Sequence, residues 1–93
     1  MMKKEELTKQ ALEILGDKAM VIAMEELAEL QQAISKAVRG KMRYDNMCEE
    51  MADVLIIMDW VREKYGIPEL EVEAWKKYKQ TRIAKRIEAN ELD

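Results

Sequence analysis

The sequence predicts an all-α protein, a four-helix chain forming one domain over residues 1–93. Glycine and proline are scarce, three and one, and the 48% apolar and 38% charged residues fit neither a disordered chain nor a turn-rich β protein. Turn signals at Gly16-Asp17, Arg39-Gly40-Lys41 and Gly66-Ile67-Pro68 cut the chain into four segments, and in each of them apolar residues recur at helical spacing.

The first helix is expected over about residues 3 to 15, with Leu7, Ala11, Ile14 and Leu15 on one stripe. The second, from about 17 to 38, starts at a candidate cap, Asp17, and aligns Met20, Ala23, Leu27, Leu30, Ile34 and Val38. The third begins near Asp45 or Asn46, where Asn46 and Glu49 have the form of a capping box, and runs to about Tyr65. Between Met51 and Val61 only Asp53 and Asp59 are charged, so apolar side chains point almost all round, as in a helix enclosed by neighbours. The fourth helix follows Pro68 and runs to about Ala89, with Trp75 and Tyr78 early and Ile83 and Ile87 late.

One short chain does not easily enclose such a third helix. A domain of this size buries only somewhat over 60% of its unfolded surface, so the helical bundle is expected to be completed by homodimerisation, as a dimer or a dimer of dimers. The alternative is a monomer in which the first helix folds back over the third.

Composition excludes several chemistries. Without histidine there is no Ser-His or Cys-His dyad, no paired-histidine zinc site and no Glu-x-x-His di-iron site, so catalysis has to rest on carboxylates, lysines or tyrosines. Cys48, the single cysteine, allows neither an internal disulfide nor a thiolate zinc site, and as one buried thiol it suits a reducing compartment. The longest apolar runs, Met20 to Met24 and Val54 to Met58, have five residues each, against the roughly 20 needed to cross a bilayer. The N-terminal lysines have no apolar stretch behind them, and a cytoplasmic protein is the expectation. A net charge of −3 offers no general attraction for nucleic acid, though a local basic cluster can still hold a small phosphorylated ligand.

Two acidic clusters stand out, Glu25-Glu26-Leu27-Ala28-Glu29 and Glu49-Glu50-Met51-Ala52-Asp53. In each, two carboxylates three residues apart lie about 60° apart on one side of a helix. Glu26 falls at the edge of its apolar stripe with Glu29 a little further round, and Glu50 falls within its stripe with Asp53 at the border. No lysine or arginine stands three or four residues after Glu26, Glu50 or Asp53 to balance them. Like charges at about 4 Å repel by up to about 4 kcal/mol per pair at an effective dielectric near 20, so a compensating group is required. A hard divalent cation supplies it, since Mg²⁺ takes oxygen ligands and is held by carboxylates together with substrate phosphates. The alternative is that both clusters are solvated helix faces.

Glu26-x-x-Glu29, then Glu50-x-x-Asp53, with the flanking EELAEL and EEMADVLI, resembles the signature of the MazG-like all-α nucleoside triphosphate pyrophosphohydrolase superfamily over about residues 20 to 62. The resemblance implies a dimeric helical bundle in which Glu26, Glu29, Glu50 and Asp53 bind Mg²⁺, or Mn²⁺ in its place. It also implies hydrolysis of a nucleoside triphosphate between the α and β phosphates, to monophosphate and pyrophosphate. Glu25 and Glu26 are the candidates for the base that activates water.

Phosphate contacts are expected from Lys79, Arg82 and Arg86, which share a face of the fourth helix, with Lys76 near its start; Lys41 and Arg43 in the second loop are equal alternatives. The family's Lys, Asn and Arg in this region are replaced by Lys76, Gln80 and Arg82 at a different spacing. Met20, Met24, Met47, Met51 and Met58 read as adaptable core and Trp60 and Trp75 as core anchors, with a nucleobase pocket as the other reading. Two rivals remain: a non-catalytic acidic helical dimerisation or binding module, and a phosphoribosyl-ATP hydrolase, in which a histidine would be expected after the second acidic segment.

Overall fold

The computed structural model describes residues 1–92, which form four α-helices: α1 Lys4–Leu15, α2 Lys18–Val38, α3 Tyr44–Tyr65 and α4 Glu69–Glu88. No helix among them is long and apolar enough to cross a membrane. The glycine-bearing turns end helices as their sequence suggests. At Gly40 (φ 75°) and Gly66 (φ 65°) the left-handed backbone lets the next residue turn back, Lys41 N–H donating to Lys36 O at 2.8 Å and Ile67 N–H to Arg62 O at 2.9 Å.

The starts differ from expectation. Asp17 does precede the first residue of α2, as expected, but it has α-helical dihedrals and its side chain makes no capping bond. α3 begins one residue before Asp45, with Arg43 as its cap and no side-chain capping bond. Asn46 therefore lies inside the first turn, and its amide faces along the helix rather than back to its start.

α2 packs along α3, and α1 lies against both. Ala19, Ala23 and Ala33 are the buried residues of α2, and these small side chains let the α3 backbone come close. Ile57 of α3, 2% exposed, is the one large apolar side chain buried among the described residues. In α1, Thr8 is buried and its hydroxyl donates to Lys4 O at 3.0 Å, while Leu7 and Ile14 of the expected stripe are exposed. α1 thus covers part of α3, as the monomer alternative supposed, yet leaves Met51, Leu55, Ile56 and Met58 open.

The inward line of α2 runs through Ala19, Ala23 and Leu30 rather than through the centre of the expected stripe. At about 100° per residue this turns Leu27, Ile34 and Val38 to one side of the contact and Glu26 and Glu29 to the other. The same holds for α3, where Met51 and Met58 flank the inward line on one side and Glu49 and Ile56 on the other. A five-residue loop makes α2 and α3 antiparallel, so like sides coincide. The α2–α3 layer therefore has one exposed apolar side, with Met24, Leu27, Ile34, Val38, Met51 and Met58, and one acidic side.

α4 leaves this core. None of its residues is buried and it packs along no other helix. Its tie is at its start, where Glu69 lies 4.0 Å from Lys4 and 3.9 Å from Arg62, both of which also meet Asp59, at 3.7 and 2.8 Å. The four expected helices are thus arranged, within one chain, as a three-helix core with an outlying helix. The consequence shows in the dimensions. The radius of gyration is 16.4 Å, whereas a compact chain of this length has about 12 Å. The accessible surface is 7875 Å², whereas a compact 10.9 kDa protein exposes about 5,600 Å².

Candidate metal centre

The antiparallel pairing brings the two acidic segments together across the α2–α3 contact. Glu26 and Glu29, one turn apart on α2, face Asp53 and Glu50, one turn apart on α3, in crossed order: Glu26 meets Asp53 and Glu29 meets Glu50. One oxygen from each of the four carboxylates lies within 4.8 Å of every other. Glu50 is 7% exposed, Glu26 and Asp53 are half-buried, and Glu29 opens to solvent at the mouth.

The electrostatics are those of an uncompensated acidic cluster. Burial first, then the charges of Glu29, Asp53 and Glu50, raise the Glu26 carboxyl above its ordinary value of 4.5. Burial and the neighbouring Glu29, Asp53 and Glu49 do the same for Glu50. No ion pair among the described residues involves any of the four. Among the described residues the one polar side chain that joins them is Asn46, whose Nδ2 donates to Glu50 Oε1 at 3.4 Å. Glu26 Oε2 and Glu50 Oε2 are buried without any hydrogen-bond partner.

These residues fit a hard divalent cation. The donor set is all oxygen, and two inward carboxylate oxygens lack the partner that burial demands. Opposite ligands of one Mg²⁺ stand about 4.2 Å apart, close to the 4.8 Å within which the four oxygens lie. The cluster could hold a metal ion, and its geometry does not select which one.

The other expected site residues lie elsewhere. Glu25 is exposed and outside the cluster. Lys76, Lys79, Arg82 and Arg86 are all exposed on α4, which does not pack against α2 or α3; Lys79, Arg82 and Arg86 do share a face, where with Ile83 they line a shallow concavity. Lys41 and Arg43 are exposed in the second loop. Trp75, expected as a core anchor, is 63% exposed and stacks edge-on against Tyr78 at 5.8 Å, with the Arg82 guanidinium 5.9 Å from the Tyr78 ring. Trp60 is half-buried on α3, and Met24, Met51 and Met58 are exposed rather than core. Asn46 escaped the sequence reading because it was taken as a cap; its place four residues before Glu50 is the signal that marks it.

Compared with family models, curated proteins and solved structures, the chain matches none.

Proposed function

We propose that the chain is a Mg²⁺-dependent nucleoside triphosphate pyrophosphohydrolase of the MazG-like all-α kind, with Mn²⁺ able to replace Mg²⁺. It cleaves the α–β phosphate linkage of ribo- or deoxyribonucleoside triphosphates and releases monophosphate and pyrophosphate. The observation that carries this reading is the convergence of Glu26, Glu29, Glu50 and Asp53 with two buried oxygens lacking partners. The reaction class comes from the resemblance of Glu26-x-x-Glu29 and Glu50-x-x-Asp53, with their flanking residues, to that superfamily.

Divalent ions bound there supply neutralisation of phosphate charge and acidification of a water. The chain's own residues do the rest. Glu29, Glu50 and Asp53 supply oxygen donors at the mouth and floor of the cluster, and Asn46 holds Glu50 Oε1 in place. Proton acceptance falls to Glu26 rather than Glu25, since Glu26 lies in the cluster whereas Glu25 is exposed outside it. Lys76, Lys79, Arg82 and Arg86 are assigned to the phosphates.

The assembly we assign is a homodimer or a dimer of dimers. Its support is the chain's surface, 7875 Å², which exceeds that of a compact monomer by about 2,300 Å², against roughly 800 Å² per partner in a standard interface. The exposed apolar side of α2 and α3 is the natural contact. Cys48, expected buried, is exposed; a single free thiol fits a cytoplasmic setting.

The test is a panel of the four ribo- and four deoxyribonucleoside triphosphates with Mg²⁺, read for monophosphate and pyrophosphate, on wild type, Glu25→Gln and Glu26→Gln. Activity lost in Glu26→Gln and kept in Glu25→Gln is the expected result. Orthophosphate as primary product overturns the reaction, and metal binding without turnover of any substrate favours the non-catalytic binding module.

A further inference from the structure

Glu50 is the most enclosed of the four clustered acids, 7% exposed, and its two oxygens have unlike surroundings. Oε1 accepts from Asn46 Nδ2 at 3.4 Å, whereas Oε2 is buried with no partner. An ionised carboxylate only accepts hydrogen bonds, so the pairing also orients the amide, with its NH2 toward Glu50. The other three acids lack such a partner. No amide, hydroxyl or cationic side chain among the described residues donates to Glu26, Glu29 or Asp53.

The fold places Asn46 for this contact. It stands in the first turn of α3, half-buried, and one turn before Glu50. It also precedes the buried Ile57 by three turns, which at about 100° per residue sets it within about 20° of the line that faces α2. The antiparallel pairing that sets Glu26 by Asp53 and Glu29 by Glu50 brings Ala33 level with Asn46. Ala33 is 5% exposed, and so small a side chain leaves room for the amide between the helices.

Four oxygens within 4.8 Å of one another do not discriminate among divalent ions. The number of oxygens that each carboxylate can offer does. Ca²⁺ takes about six to eight oxygens and commonly both of one carboxylate, whereas Mg²⁺ demands a near-octahedral set at about 2.0–2.1 Å and keeps several waters. A glutamate with one oxygen engaged by an amide and the other open is a one-oxygen ligand.

We propose that Asn46 is a metal-selectivity residue: by engaging Oε1 it restricts Glu50 to one oxygen and biases the cluster toward Mg²⁺, and toward Mn²⁺ with the same octahedral preference, against Ca²⁺. It is a positioning residue, acting on the ion through Glu50. This role rests on the cluster being a metal centre and is independent of the triphosphate reaction.

Calorimetric titration of the chelator-stripped protein with Mg²⁺ and with Ca²⁺ decides it, on wild type, Asn46→Leu and Asn46→Gln. Leucine is close in volume and lacks the donor; glutamine keeps an amide. Removing a hydrogen-bonding partner of a metal ligand costs about 10- to 100-fold in affinity, so Asn46→Leu should bind Mg²⁺ at least roughly tenfold more weakly. It should bind Ca²⁺ as tightly as wild type or more tightly, because Oε1 is released to the ion. Asn46→Gln should return the ratio of the two affinities toward that of wild type. A merely structural role lowers both affinities together, so an unchanged ratio in Asn46→Leu overturns the proposal. If Asn46→Leu fails to fold by circular dichroism, Asn46→Ala is read in the same way. A wild type that binds neither ion overturns the metal centre and the selectivity role together. A shifted ratio in a protein that turns over no triphosphate removes the proposed reaction and upholds the selectivity role.

Discussion

Asn46 Nδ2 donates to Glu50 Oε1 at 3.4 Å, and the other oxygen of the same carboxylate, Oε2, is buried with no partner. One half of Glu50 is thus fixed by a side chain one turn earlier on α3. The other half has no hydrogen-bond partner among the described residues, which is the condition a cation relieves.

Mg²⁺ or Mn²⁺ should therefore stabilise the fold. At one hundred times its dissociation constant a ligand adds about 2.7 kcal/mol, which in a domain of this size raises the melting midpoint by roughly 10 °C or more. The rise should vanish in Glu50→Gln. Calorimetry with and without millimolar Mg²⁺ checks it, and a midpoint that never moves removes the metal site.

Without metal, acidification should help before it harms. The Glu26 and Glu50 carboxyls hold a proton more tightly folded than unfolded, so between 4.5 and their raised values the folded state binds more protons. Their contribution is present below 4.5 and is lost as pH rises through the folded values. In the presence of a chelator, Glu50→Gln should melt above wild type near neutral pH, and the gap should shrink towards pH 4.5. A gap that stays constant with pH contradicts the burial of these carboxyls.

Asp53→Asn should keep the helical circular dichroism of wild type while losing most of the proposed pyrophosphohydrolase activity. The amide is nearly isosteric and removes a repelling charge, so stability without metal should not fall, yet it is a weaker ligand for a hard cation. Equal turnover by the two proteins would make the acids structural.

Ile57 and Leu27 should respond differently to the same substitution. Ile57 is 2% exposed within the chain, so Ile57→Glu buries an unpaired charge and should unfold it. Leu27 is 46% exposed, so Leu27→Glu should keep helical content and reduce the sedimenting mass by separating copies at the apolar side. Wild type sedimenting as a 10.9 kDa monomer would remove the assembly.

Much of the fold and the heart of the site were legible in the sequence. Turn residues at Gly16, Gly40 and Gly66 placed the four helices to within one or two residues, because left-handed backbone and helix termination are local properties. The i, i+3 carboxylates were legible for the same reason. Capping was legible in part: Asp17 stands at the start of α2 without a side-chain capping bond, whereas Asn46 lies inside α3 and donates to Glu50. The apolar stripe of α2 was misjudged because it is two arcs in one, and periodicity cannot say which arc faces its own chain.

The sequence by itself determined that the chain is helical, where each helix ends, and that two pairs of acids stand one helical turn apart. Each follows from backbone preference and the 3.6-residue repeat, which act over a few residues. Only the tertiary structure decided that Glu26 pairs with Asp53 and Glu29 with Glu50, that Leu27 and Met24 look outward, and that α4 stands off the core. The first two outcomes depend on the rotation of α2 about its axis, with Ala19, Ala23 and Ala33 turned inward, and the third on α4 burying none of its residues, its tie to the core being Glu69 beside Lys4 and Arg62.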